Sequence, residues 1–280
     1  MINKIQIGFI VRKEASEVEL STLCSLPGVS GDEYEVHQYL SREYQQLNLD
    51  LKKDKLGSIF GERQVENSPF KVMISSNIDE CGGMIDDIHE SGLLSFVTIG
   101  DVLPKDFLHQ RVCLLTRHHQ RVYGYVLQKQ EKFWIHIGAK SQQEVEEIGV
   151  QVGDTFVLEI PVIETEKMIL SKNISNRAGV YAAYQLMETM SSLPYTLSIG
   201  GIAQSIVGYR GAITATNTIL PDVSIVLDVA PVRDYAEQTV YIRYFDKTLL
   251  PNVSLVKEIK TVAQSLGYEV KANVQEKGTD

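Results

Sequence analysis

The chain changes texture twice, and that change limits the fold more than any single residue. Before residue 77 and again after residue 161, apolar runs of strand length alternate with stretches at helical spacing. Between residues 82 and 161 the pattern differs. Short β-like runs follow one another at 93–99, 111–115, 122–127, 133–137 and 155–159, and only 141–148 reads as a helix. Strands alternating with helices predict an α/β class, a mostly parallel sheet with helices on both faces. The economical architecture is a discontinuous α/β domain, 1–81 and 162–280, carrying an inserted small β-rich domain at 82–161.

Within the α/β parts, a helix is expected up to residue 26, ended by Pro27-Gly28. Ser30-Gly31-Asp32-Glu33 reads as the N-terminal cap of an amphipathic helix over 32–47, with carboxylates suited to the helix dipole. Strands follow at 49–53, 56–60 and 71–76, with a turn at Asp54. Later come a helix at 176–190, a strand at 195–202 and a short helix at 208–215. A buried strand is expected at 223–229, then a strand at 240–244, a helix at 252–266 and a last strand at 268–274.

Composition enters mainly through what it excludes. The net charge of -9 over 280 residues leaves no generally basic footprint for nucleic acid. No apolar run reaches the ~18 residues of a membrane span, and the N-terminal M-I-N-K-I-Q-I-G-F-I-V-R-K reads as a strand or arm rather than a signal peptide. Cys24, Cys81 and Cys113 are few and unpatterned, which fits a reducing cytoplasm and no cysteine-based zinc site.

Chemistry is sought where strands of an α/β sheet end, because the loops there form a crevice. K-V-M-I-S-S-N-I-D-E-C-G, residues 71–82, opens as a buried strand and breaks into Asn77, Asp79 and Glu80. V-S-I-V-L-D brings Asp228 to a second strand end, directed at the same crevice. Five of the six histidines (His89, His109, His118, His119 and His136) fall in the β-rich insert, and His37 is on a helix surface. The adjacent His118 and His119 face opposite ways if they lie in a strand. The α/β part therefore lacks a His pair for a hydrolytic zinc site. Ser205, in A-Q-S-I-V-G, is not a G-x-S-x-G elbow and has no obvious histidine in its own domain to act as base.

A family resemblance spans the chain in order. P-G-V-S-G-D-E-Y-E-V, S-S-N-I-D-E, I-H-I-G-A-K-S-Q-Q-E-V-E-E-I-G-V-Q-V-G-D, N-I-S-N-R-A-G and A-Q-S-I-V-G-Y-R-G-A resemble successive motifs of the glutamyl (deblocking) aminopeptidases. These are two-metal peptidases of tetrahedral assembly, some with endoglucanase-like names. The resemblance implies an aminopeptidase-like α/β domain with a β-rich insert that serves oligomerisation. It also implies two divalent metals, zinc or cobalt, held by two His, two Asp and a Glu, with a further Glu as general base.

Matched position by position, the resemblance implies a degenerate, C-terminally short member. The first ligand His is Asn77, the bridging Asp is Ser175, the general base is Ser205 and the ligand Glu after it is Ile206. Asp228 alone is retained, Asp79 stands where the family orients its first His, and the last His would lie beyond Asp280. Divalent metals need anionic or imidazole donors, and without them no bound water is acidified toward a pKa of ~7. A seryl hydroxyl has no useful basicity near neutral pH. The expectation is a cytoplasmic protein with no bound cofactor and no intact catalytic residue. It would act as a regulatory or structural partner or bind a small peptide, as a homo-oligomer or a hetero-oligomer with an active relative, without nucleic acid or membrane. The alternative is an active metal-dependent aminopeptidase or related hydrolase with a rearranged site, drawing ligands from Asp79, Glu80, Asp228 and Asp280.

Overall fold

The computed structural model describes residues 19–166, 168–229, 239–245 and 250–274. The expected N-terminal arm and Asp280 lie outside them. The order begins α1 (Leu20–Ser25), α2 (Tyr34–Gln46), β1 (Asp50–Lys53), β2 (Ile59–Arg63) and β3 (Lys71–Asn77). It continues with β4 (Gly82–Ile88), β5 (Leu94–Ile99), β6 (Arg111–Leu115), β7 (Arg121–Lys129), β8 (Lys132–His136), α3 (Gln142–Ile148) and β9 (Thr155–Leu158). Then come β10 (Ile163–Glu164), β11 (Ile169–Leu170), α4 (Ile174–Thr189), β12 (Thr196–Ile202), α5 (Arg210–Ile219), β13 (Val223–Val226), β14 (Thr239–Phe245), α6 (Val253–Ser265) and β15 (Glu269–Val274).

The main sheet has the order β1-β2-β12-β3-β13. The expectation of a mostly parallel sheet is corrected: β1–β2 and β2–β12 pair antiparallel, while β12–β3 and β3–β13 pair parallel. The cause is local. Asp54 Oδ1 accepts the amides of Leu56 and Ser58 at 2.9 and 2.8 Å, closing a tight turn that folds β2 back on β1. The fold is thus a mixed α/β fold.

Side-chain alternation in β3 decides which helix covers which face. Val72 and Ile74 join Leu40, Tyr44, Val180 and Tyr184 of α2 and α4 in the larger core. Met73 turns the other way, toward Phe60, Ile202 and the α5 residues Ala215 and Ile219. α4 approaches β3 closely at Gly179, where an added Cβ would lie 2.4 Å from Ser76 Oγ and 2.7 Å from the Leu227 carbonyl oxygen. Among the described residues β13 is an edge strand with half-exposed side chains, not the buried strand expected over 223–229. β14 and β15 pair in parallel as a separate two-stranded sheet, joined by α6.

The middle segment closes into a six-stranded barrel, β4-β5-β8-β7-β6-β9, antiparallel at every pairing. Its β4 strand, G-G-M-I-D-D-I, escapes a sequence reading because its apolar residues do not alternate cleanly. The barrel has its own core, including Ile85, Leu94, Val112, Leu114, Val126 and Ile135. Phe96, Phe107 and Phe156 meet edge to face there, with centroids 5.0–6.1 Å apart. Trp134 lies on β8, its ring edge-on to His89 at 5.6 Å. His118 and His119 occupy the β6–β7 turn rather than a strand.

Candidate functional site

The strand ends gather the residues singled out in the sequence. Asn77 closes β3 opposite Ile202 of β12, and the Ile78 amide donates to the Ile202 carbonyl oxygen at 2.9 Å. Asp79 is fully buried. Its Oδ2 accepts the amide of Ile206 at 2.9 Å, and its carbonyl oxygen accepts a short hydrogen bond from Asn176 Nδ2. Burial raises the Asp79 pKa, and the Ile206 amide opposes that rise. Ser175, in the first turn of α4, donates to Asn176 Oδ1 at 2.8 Å. These bonds bring Asn77, Asp79, Ser175 and the Ser205–Ile206 segment together at the strand ends, where the crevice of an α/β sheet is expected.

Asp228 reaches the same rim, because β13 pairs with β3 up to Val226 and the Leu227 amide donates to the Ser75 carbonyl oxygen at 2.8 Å. Its carboxylate is already occupied. Arg243 Nη2, from β14, donates to Asp228 Oδ2 at 2.9 Å, and the Val229 amide donates to Oδ1 at 2.7 Å. Ile206 contributes hydrocarbon; its Cγ2 sits 2.7 Å from where a Cβ at Gly100 would lie, beside Cys81. Ser205 is buried.

Charge lies behind the crevice as well. Glu80 is buried and salt-bridged to Lys172 at 3.1 Å, and its Oε1 also accepts the Gly28 amide at 3.0 Å. Arg177 is fully buried, and among the described residues none of its three guanidinium nitrogens has a hydrogen-bond partner. Burial lowers its pKa, opposed most by the charge of Glu80 and further by Asp79 and Glu33. An isolated buried cation is costly, so these carboxylates are what make the position tenable.

Glu33 was expected to cap α2. It makes no side-chain cap there. Its Oε1 instead accepts the amides of Gly31 and Gln204 at 3.0 and 2.9 Å. Asp32 likewise leaves the helix and accepts from Thr155 Oγ1 at 2.8 Å. Sequence reasoning also missed Lys172, Arg177 and Arg243. The R of N-R-A-G is a signal for the second, being the one basic residue of α4 and followed directly by the apolar run A-G-V-Y-A-A-Y. Nothing local marks Arg243 as the partner of Asp228.

The donor set does not fit a pair of divalent metals. It offers an amide, two hydroxyls, an aliphatic side chain and one carboxylate already paired with arginine. Among the described residues, no group of three or more His, Cys, Asp or Glu side chains converges as a metal site would require.

Comparison with known proteins agrees across sequence and structure. The FrvX protein of Escherichia coli (strain K12) is 33% identical over 271 residues, covering 87% of this chain and 76% of that protein. The TET aminopeptidase of the marine sediment archaeon Thaumarchaeota archaeon SCGC AB-539-E09 superposes with a TM-score of 0.84 at 26% identity, covering 93% of this chain and 82% of that one. The TET1 peptidase of Pyrococcus horikoshii, which can assemble into a tetrahedron or a large octahedral shell, shares the fold with a TM-score of 0.79 at 21% identity, over 93% and 84% of the two chains. The family model for M42 glutamyl aminopeptidase matches residues 57–280, and the chain belongs to that family.

Proposed function

We propose that this chain is an aminopeptidase-like protein that has lost metal-dependent hydrolysis and uses the crevice to bind a small peptide. One observation carries the reading: Asp228, the single carboxylate at a family ligand position, is engaged by Arg243. The other family positions are Asn77, Ser175 and Ile206, with Ser205 at that of the base. One carboxylate, paired with a guanidinium, supplies too little negative charge to hold two dications against their hydration and mutual repulsion. The rearranged-site alternative draws on Asp79, Glu80 and Asp228, and each of these already accepts hydrogen bonds from the protein. Its fourth ligand, Asp280, lies outside the described residues.

In this reading, residues 1–81 with 162–280 form the peptide-binding domain and 82–161 the oligomerisation domain. Tyr123 and Tyr125 are exposed on the barrel wall and supply apolar surface for an assembly with copies of itself or with an active relative. The localisation expected is cytoplasmic; among the described residues no helix is long and apolar enough to cross a membrane. The test is titration of purified protein with zinc and cobalt, alongside turnover of aminoacyl substrates and calorimetry with short peptides. We expect no tight metal binding and no turnover above background. Metal-stimulated cleavage that disappears in Asp228→Ala would overturn the reading.

A further inference from the structure

The segment from Gly28 to Glu35 alternates its contacts between the barrel and the crevice. On the crevice side, the Gly28 amide binds Glu80 Oε1, and the Ser30 amide binds the Glu80 carbonyl oxygen at 3.2 Å. Glu33 Oε1 binds the Gln204 amide. On the barrel side, Val29 is fully buried against Cys113, Leu115 and Val157 of β6 and β9. Asp32 binds Thr155 of β9. Tyr34 stacks on His119 with centroids 3.5 Å apart, and Glu35 forms a two-point ion pair with Arg121, one bond of 2.9 Å and one shorter.

The far end of this chain of contacts is the loop that ends in Ser205 and Ile206. Its amides are held one by one by side chains from elsewhere. Ser58 Oγ accepts from Ala203 at 3.2 Å, Glu33 from Gln204 at 2.9 Å and Asp79 from Ile206 at 2.9 Å. Gln204 has φ of 52°, a left-handed conformation that a non-glycine residue keeps only when its surroundings hold it. Glu33 is the only one of the three anchors that belongs to the segment seating the barrel.

We propose that residues 28–35 form a strap that couples the barrel to the crevice loop, with Glu33 as its positioning residue. Loosening the barrel end of the strap then loosens the Gln204–Ile206 loop through Glu33, a route separate from the packing of Ile206 beside Gly100. This holds whether or not the crevice binds peptides.

Amide hydrogen exchange on the full chain tests it, comparing a peptide over 203–209 with a control over residues 126–136, the part of the β7–β8 hairpin away from Arg121. In Glu33→Ala the loop amides should exchange about tenfold faster, the scale of a lost hydrogen bond to a buried carboxyl. Glu33→Gln keeps a side-chain oxygen that can accept both amides and should restore protection. Arg121→Ala touches only the barrel end, and should raise loop exchange about twofold while leaving the hairpin control unchanged. If Glu33→Ala fails to fold, the Arg121→Ala and Glu33→Gln results decide alone. Loop exchange unaltered by Arg121→Ala would overturn the coupling. So would an equal rise in every peptide, which would mean a general loss of stability.

Discussion

The barrel and the floor of the crevice are built on opposite economies. The barrel interior is aliphatic and aromatic, its strands are antiparallel throughout, and its three phenylalanines interlock edge to face. The crevice floor buries Asp79, Glu80, Glu33 and Arg177, with Lys172 nearly covered. Apolar burial adds stability roughly in proportion to area. A buried ion pair adds little net, and removing one member costs far more than the pair contributed. A floor of this kind is therefore a poor way to gain stability, and its worth lies in fixing geometry. That geometry holds the loop before α5 and the start of α4 in place at the ends of the strands.

The contrast can be broken most severely in the barrel. Phe156→Ala removes the ring that touches both other phenylalanines and should cost ~3–5 kcal/mol by cavity formation, read as a lower denaturant midpoint. A loss under ~1 kcal/mol would mean that the barrel core is not close-packed. On the floor, Lys172→Met leaves Glu80 buried with the Gly28 amide and without its cation, and should cost about 3 kcal/mol. The double variant Lys172→Met/Glu80→Gln should recover only part of that loss, because neutralising Glu80 also takes from the buried Arg177 its strongest compensating charge.

A smaller effect should appear with pH. Burial pushes Glu33 up to about 7, opposed by its bonds from the Gly31 and Gln204 amides, with the Asp79 charge adding to the rise. The folded protein thus holds this proton more tightly than the unfolded chain. The contribution to stability is complete below the ordinary carboxylate range and is lost as pH rises through about 7. Asp79 and Arg177 face the same group. The part of the pH dependence that vanishes in Glu33→Gln isolates it, measured as thermal midpoints from pH 5 to 8. If the mutant and the parent chain show the same slope, Glu33 is ordinarily ionised and the floor carries more negative charge than described above. The smallest effect belongs to the surface: Arg121→Ala breaks a partly exposed pair and should cost below ~1 kcal/mol. A larger cost would show that the barrel and the sheet stabilise each other through that contact.

The sequence was legible where periodicity is strong. The helix expected at 32–47 and the strand at 71–76 lie within about two residues of α2 and β3, and β6 falls on the run 111–115. It was less legible where partners are remote. The sheet is mixed because of a turn at Asp54, and the turn residue was recognised without its topological consequence. Asp32 and Glu33 carry a helix-start signal, yet both are drawn away by Thr155 and Gln204, far along the chain. At the crevice, Asn77, Asp79 and Asp228 were visible because they follow apolar strands. Arg243 was not, since a basic residue within a short alternating strand reads equally well as a solvated position.

The single tryptophan of the chain lies in the barrel, against His89. Indole fluorescence therefore reports on one half of this molecule only. An unfolding curve followed by that signal would trace the barrel, and a change confined to the crevice would pass unseen. Absorbance or emission from the 13 tyrosines is spread over both halves. A difference between the two optical midpoints would be a direct measure of how independently the halves come apart.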